Sequence, residues 1–184
     1  IIAIAGMELT TAEDIHVVCL FEHLCDAMEF DKTVEKRRIK IKNRPDIFGE
    51  QLILNENDEV IGTDEYLLIN ATDISVEDVY ELVTSHNGIC FPAHVDRDSN
   101  GIISTLGTIP ESCGFSVAEF HNKELFEQYK SRHPILESML ITSGSDAHYL
   151  WDIRDKSDYF TLEDEPYSSE FVRKNLFKKL KCGK

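Results

Sequence analysis

Short apolar runs punctuated by polar side chains are the main pattern along this chain. Residues 88–93, 115–120 and 139–142 are almost wholly apolar, as is the opening run 1–5, and each is followed at once by polar side chains. A continuous apolar run is typical of a strand buried on both faces, as in parallel α/β sheets. In such sheets functional groups gather at the carboxyl ends of the strands. The pattern therefore predicts an α/β fold with chemistry at one sheet edge.

A fifth predicted strand, residues 15–21, differs because its histidine, His16, lies at its start. The connection that leads to it from Glu8 is short, and a parallel return needs a dozen residues or more. We therefore expect this strand to run antiparallel to the one before it. That direction brings His16 back to the rim that carries Glu8.

Helical and hairpin patterns fill the rest of the chain. Ser75 and Asp78 form a capping-box pattern before an apolar helical repeat, and Gly88 follows its end. A polar turn between two short apolar runs predicts a β-hairpin, which we expect to be an insertion over residues 45–70. The predicted helices are 22–42, 76–86, 122–129 and 168–181, and the hairpin strands are 51–54 and 59–62.

Composition narrows the class of protein. The 184 residues suit a single domain, 1–184, and 42% hydrophobic residues are enough for a packed core. Nineteen basic and 34 acidic side chains give a net charge of −15, so we expect no broad nucleic-acid surface. Bound cations would reverse this charge locally. No apolar run approaches the length of about 20 residues that spans a membrane, and no signal-peptide pattern is present.

The five scattered cysteines lack any C-x-x-C pair. Their odd number and their positions beside apolar runs favour reduced, mostly buried thiols. We therefore expect a cytoplasmic protein.

Five side chains form the candidate chemistry of the chain. Each taken alone has an ordinary structural interpretation, such as a helix-capping aspartate or a hydrogen-bonded histidine. Together they are nitrogen and oxygen donors projected onto one end of one sheet, a set that suits Zn²⁺, Mn²⁺ or Fe²⁺. The candidates are Glu8, His16, His94, Asp146 and His148.

The order of these motifs resembles the PHP (polymerase and histidinol phosphatase) family. The resemblance rests on residues 6–10 (GMELT), 16–18 (HVV), 92–94 (PAH) and 144–148 (GSDAH). It implies a distorted (β/α)7 barrel that holds two or three divalent metal ions at its C-terminal rim and hydrolyses phosphate esters. Residues 117–122 (VAEFHN) resemble the strand before the family's final motif, whose side chains usually stand behind the metal ligands.

The resemblance also implies roles for individual residues. Glu8 would be the acidic ligand, often bridging two ions, and His16, His94, Asp146 and His148 would complete the set. The ions would lower the pKa of bound water to supply hydroxide, and either His148 or a histidine of the missing N-terminal motif would protonate the leaving oxygen. Arg97 is a candidate phosphate contact, with a surface salt bridge as the alternative. A phosphorylated small molecule or nucleotide is the expected substrate.

The family's opening His-x-His motif has no counterpart here, and the chain begins on the apolar run at Ile1. We therefore expect the later two-thirds of a PHP-type domain, without its N-terminal strands, holding fewer ions and impaired in hydrolysis. Strand edges left open would favour a homo-oligomer. The alternatives are a non-catalytic metal-binding or regulatory module, and an α/β domain whose histidines are only structural.

Overall fold

The computed structural model describes residues 2–155, 158–163, 165 and 168–182. No helix within these ranges is both long and apolar enough to cross a membrane. The strands are β1 (Ala5–Thr10), β2 (His16–Phe21), β3 (Leu52–Leu54), β4 (Val60–Thr63), β5 (Ile89–Pro92), β6 (Val117–Phe120) and β7 (Leu140–Ser143). The helices are α1 (Leu24–Arg37), α2 (Pro45–Phe48), α3 (Val76–Ser85), α4 (Ile102–Leu106), α5 (Phe126–Arg132) and α6 (Ser169–Cys182).

Strand β2 lies at the centre of a three-stranded sheet and runs antiparallel to both of its neighbours, β1 and β5. The turn between β1 and β2 is tight, since the Thr11 amide donates to the Ile15 carbonyl at 2.9 Å. So short a connection permits only an antiparallel return. Because β1 and β5 are both antiparallel to β2, they run in the same direction and end at the same edge.

Strands β6 and β7 form a parallel pair beside this sheet. Just past the end of β5, the Val95 amide donates to the Glu119 carbonyl at 2.8 Å, which joins β5 to β6. The carboxyl ends of β5, β6 and β7 therefore lie near one another.

The predicted (β/α)7 barrel is wrong for the described residues. Their strands form separate sheets of three, two and two strands, and no barrel closes. A TIM-like barrel needs parallel neighbours on both sides of every strand. Here β1, β2 and β5 pair antiparallel, as do β3 and β4, which leaves β6–β7 as the parallel pair in this part of the chain.

The first strand also differs from its prediction. The apolar run 1–5 was expected to be the strand, but β1 is Ala5–Thr10, and the run's first residue, Ile1, lies outside the described residues. Pairing begins at Ala5 opposite Phe21 and ends at Thr10 opposite His16. The two ends of β1 are therefore set by the two ends of its partner β2. Glu8 therefore lies within a paired strand, which holds its backbone in place.

The predicted helices 76–86 and 168–181 agree with α3 and α6 to within one residue, whereas α1 is shorter than the predicted 22–42 and α5 begins later than predicted. The Ser75 hydroxyl accepts from the Asp78 amide at the start of α3, as the capping-box pattern predicts. Residues 122–129 do not form one helix: the Asn122 side chain caps a 3₁₀ turn, Lys123–Leu125, before α5 begins. Asparagine favours such caps because its side chain bonds the nearby backbone.

The core lies on both sides of β5. Cys90 joins the larger apolar cluster with Phe21 and Phe30, beneath α1 and α3. Ile89 and Phe91 point the other way and pack against Phe177 and Leu180 of α6. Burial on both faces explains why β5 is a continuous apolar run.

Strands β3 and β4 pair as an antiparallel hairpin within residues 45–70. Their large apolar side chains are exposed, in contrast with those of β5. An ion pair joins the hairpin to the C-terminal end of α1: the guanidinium of Arg38 contacts the Asp64 carboxylate at 3.0 Å. It therefore projects from the domain instead of adding to the core.

Gly6 allows β1 to approach β2 closely, and this gives a test of the sheet. A Cβ at this position would collide with the carbonyl oxygen of Cys19, which is backbone and cannot turn away. We expect Gly6→Ala to lower the free energy of unfolding by about 2 kcal/mol in urea denaturation. The control is Gly62→Ala in the exposed hairpin, where a Cβ would lie 3.5 Å from the nearest atom, Cδ1 of Ile53. Equal stability of Gly6→Ala and the wild type would contradict this pairing.

Candidate metal centre

Three of the predicted ligands meet at the edge where β1 and β5 end. The Oε1 atom of Glu8 lies 2.6 Å from Nδ1 of His16 and 3.2 Å from Nε2 of His94. The two imidazole nitrogens are 3.3 Å apart. One donor atom from each of the three side chains thus lies within 4.8 Å of the others.

The strand register explains this convergence. Thr10 pairs directly with His16, and Glu8 lies two residues before Thr10, so Glu8 and His16 share one face of the sheet as diagonal neighbours. His94 comes from the adjacent strand, since the Ala93 amide donates to the His16 carbonyl at 3.0 Å. The backbone of His94 then turns sharply, with a φ of 29°. Left-handed backbone at a histidine is uncommon and is concentrated at functional sites.

The cluster strongly favours an ionised carboxylate. Hydrogen bonds from His16 and then from His94 lower the pKa of Glu8 to about 2, against the opposing effect of burial. Burial alone would lower the pKa of His94, but the hydrogen bond and negative charge of Glu8 outweigh it, so the pKa of His94 is raised. Glu8 is therefore a permanent anion at neutral pH.

The donor set fits a divalent transition metal. Tetrahedral Zn²⁺ holds nitrogen and oxygen ligands at about 2.0–2.1 Å, which sets them roughly 3.3–3.4 Å from each other. The contacts of His94 with Glu8 and His16 are already close to this spacing. In addition, the other ring nitrogen of His94, Nδ1, is buried and has no hydrogen-bond partner among the described residues. All the polar contacts of this ring within the described residues are therefore made by Nε2, to the other two members of the cluster.

The other two predicted ligands, Asp146 and His148, lie outside this cluster. The Asp146 carboxylate, which is largely buried, pairs with Nη1 of Arg97 at 2.5 Å. His148 is 75% exposed, and its Nδ1 lies 2.9 Å from the main-chain oxygen of Asp146. Asp146 has a φ of 50°, so both it and His94 have left-handed backbone. The negative charge of Asp146 also contributes to the raised pKa of His94.

Glu119 is a further carboxylate near the centre that sequence reasoning did not single out. Burial raises its pKa and outweighs a hydrogen bond from the His94 backbone. A Cβ on Gly144 would lie 2.5 Å from Oε2 of Glu119, so the glycine of the GSDAH motif leaves room for this carboxylate. A lone acidic residue within the apolar run 115–120 was the available signal.

Two arginines meet at His121 beside the centre. Nη2 of Arg97 and Nη2 of Arg154 lie 3.5 and 3.3 Å from Nδ1 of the imidazole. Arg154 also donates to the His121 carbonyl at 2.6 Å and to the Ser143 hydroxyl at 3.3 Å. Burial and these two cations lower the pKa of His121. Sequence reasoning missed Arg154, because no motif marks it.

Comparison with known proteins gives one relevant likeness. No family model matches the chain, and no curated protein matches it. Among solved structures, it is similar to the crystal structure of the lesion-specific endonuclease PfuEndoQ from Pyrococcus furiosus, with a TM-score of 0.62 and 14% identity. The match covers 96% of this chain and 38% of that protein. At this identity the likeness is one of fold alone.

Metal binding tests the cluster directly. We expect the chain to bind Zn²⁺ or Mn²⁺ in isothermal titration. His94→Ala, which removes one donor of three, and Glu8→Gln, which removes the anionic charge, should each weaken binding by about tenfold or more. His23→Ala is the matched control, because His23 is exposed and lies outside the cluster. Equal affinity in all four proteins would exclude this site.

The pH dependence of stability tests the charges of the metal-free centre. Glu8 has a lowered pKa, so its contribution to stability is present above its ordinary value of 4.5 and is lost as pH falls toward 2. His94 has a raised pKa, so its contribution is present below 6.5 and is lost as pH rises through the raised value. In chelator, the stability advantage of the wild type over Glu8→Gln should therefore be greatest between pH 4.5 and 6.5. An advantage that is constant across urea titrations at different pH values would contradict the pairing.

Proposed function

We propose that this chain is a metal-dependent phosphoesterase. The observation that carries the proposal is the convergence of Glu8, His16 and His94 at one sheet edge, with donor spacing suited to a divalent cation. Two independent findings support it. The ordered motifs resemble the PHP family, and the fold is similar to part of an endonuclease, an enzyme that cleaves phosphodiester bonds.

Each residue of the site has a separate role in this proposal. A divalent cation at such a centre supplies an activated water and offsets negative charge on the phosphate. Glu8, ionised at neutral pH, and the two histidines would hold that cation. We further propose Asp146 and His148 as ligands and His148 as the proton donor to the leaving oxygen, for which its exposure is suitable. Zn²⁺, Mn²⁺ and Fe²⁺ are the candidate ions.

In this proposal Arg97 pairs either with Asp146, a proposed metal ligand, or with the phosphate of the substrate. Its ion pair with Asp146 occupies the carboxylate that would bind a second cation. If Asp146 turns toward a metal, the guanidinium of Arg97 loses its partner and becomes available to a phosphate oxygen. The same side chain would then serve the metal-free and the substrate-bound states.

The substrate we favour is a phosphodiester of a nucleotide or nucleic acid. The net charge of −15 speaks against a broad nucleic-acid surface, but the structural neighbour is an endonuclease. A metal centre and the arginines at His121 would provide local positive charge within an acidic protein. The cysteines Cys19, Cys25, Cys90, Cys113 and Cys182 are all free, which supports a reducing, cytoplasmic location.

A non-catalytic metal-binding module is the second candidate. Its supporting observation is that Asp146 is engaged by Arg97 and His148 points to solvent, which leaves three donors in the cluster. Such a site would bind one ion and hydrolyse nothing. Metal binding is common to both candidates, so turnover separates them.

Hydrolysis of bis(p-nitrophenyl) phosphate with added Mn²⁺ is the deciding assay. We expect metal-dependent turnover that Glu8→Gln reduces by about a hundredfold or more, because the variant removes the anionic ligand. His23→Ala, remote from the cluster, should retain full turnover. Tight metal binding without turnover on this substrate or on p-nitrophenyl phosphate would establish the non-catalytic module instead.

A further inference from the structure

A pair of exposed, stacked aromatic rings follows the GSDAH motif, at the 3₁₀ turn Leu150–Asp152. The rings of Tyr149 and Trp151 are nearly parallel, at 5°, with centroids 4.9 Å apart. Yet the two residues are 62% and 79% exposed. Burying an aromatic side chain removes about 150–250 Å² from water, so a ligand that covers this pair would gain hydrophobic stabilisation. The pair thus presents a preformed aromatic face to solvent.

The loop that carries the pair is held at both ends by contacts at the carboxyl ends of the strands. On its N-terminal side, Asp146 is held by Arg97. On its C-terminal side, Arg154 is held by the His121 carbonyl and the Ser143 hydroxyl, at the ends of β6 and β7. Residues 147–153 are therefore anchored at the edge where the chemistry is proposed.

Positive charge lies along the same edge. Arg154 donates to neutral acceptors, so its charge is not paired with a carboxylate among the described residues. Arg97 reaches the same imidazole nitrogen. Asp155 and Asp158 line the cavity of about 200 Å³ beside Arg154, so the cavity as a whole is acidic and the positive charge is confined to the guanidinium groups. A ligand held here would bind through its rings more than through its phosphates.

We propose that Tyr149 and Trp151 form a base-stacking subsite for single-stranded nucleic acid, with Arg154 beside it to contact the phosphate backbone. An unpaired base stacks on the open face of the aromatic pair, as bases do on the aromatic platforms of single-strand-binding proteins. The subsite names the substrate class of the proposed phosphoesterase and rests on that proposal for the chemistry, but binding here does not require the metal. A second copy of the chain is a weaker candidate occupant, because two copies with a net charge of −15 repel each other.

Trp151 is the sole tryptophan of the chain, so its fluorescence reports on this pair alone. In chelator, we expect an oligothymidylate of about ten nucleotides to quench its emission, and an abasic oligomer of equal length to leave it nearly unchanged. With one or two phosphate contacts, the logarithm of the affinity should fall with that of the salt concentration with a slope of only about −0.7 to −1.4.

Variants separate stacking from charge. We expect Tyr149→Leu and Trp151→Leu each to weaken binding about fivefold or more. Binding by the first variant is measured from Trp151 emission, and binding by the second from the anisotropy of a labelled oligothymidylate. Both rings are exposed, so neither change removes core packing. Tyr159→Leu is the matched control, since Tyr159 is 85% exposed and outside the stack, and it should bind like the wild type.

The outcomes distinguish this subsite from the phosphoesterase. Equal quenching by the abasic oligomer, no oligonucleotide binding, or unaltered binding by both variants would overturn the subsite, while turnover of bis(p-nitrophenyl) phosphate would keep the phosphoesterase. Base-dependent quenching without metal-dependent turnover would keep the stacking subsite and overturn the phosphoesterase. A protein-concentration-dependent shift of Trp151 emission, with a dimer in sedimentation that Trp151→Leu dissolves, would assign the pair to a contact between copies and overturn the proposal.

Discussion

The antiparallel pairing of β2 with β1 and β5 determines where the three clustered donors, Glu8, His16 and His94, lie. Because β2 runs against both neighbours, its first residue, His16, meets the ends of the other two strands. Glu8 and His94 are 86 residues apart in sequence, yet their donor atoms are 3.2 Å apart. A shift of one residue in either register would turn a ligand to the opposite face of the sheet. The centre is thus a product of strand register, which the large apolar cluster beneath β2 holds in place.

The same pairing explains how far sequence reasoning could go. The short connection after Glu8 was sufficient to predict that His16 returns to the same rim, because chain length alone excludes a parallel strand there. The barrel, which the family resemblance implied, was wrong because most of the described strands pair antiparallel. The continuous apolar runs could not have corrected it, since they show burial on two faces and not strand direction. In β5 the second face is covered by α6, through Phe177 and Leu180, instead of by a ring of outer helices. Local patterns therefore predicted the elements better than their arrangement.

The residues that sequence reasoning missed share a physical cause. Arg154 matters because a loop brings it back to the ends of β6 and β7, and no local pattern encodes such a return. The stacking of Tyr149 on Trp151 likewise depends on the conformation of the 3₁₀ turn Leu150–Asp152. Glu119 differs, since an acidic residue in an otherwise apolar strand carries a desolvation cost that a nearby cation would offset. In the folded protein this desolvation cost is seen in the raised pKa of Glu119.

Electrostatics connect the centre to the acidic character of the chain. Glu8, Asp146 and Glu119 crowd one small region, and burial makes this negative charge costly unless cations offset it. In the metal-free protein the offset comes from the two histidines around Glu8 and from Arg97 on Asp146. A divalent cation would replace these partners with a stronger one and free Arg97 at the same time. On the proposed function, occupancy of the centre would thus set whether Arg97 is offered to a phosphate, whereas the proposed stacking on Tyr149 and Trp151 does not depend on the metal.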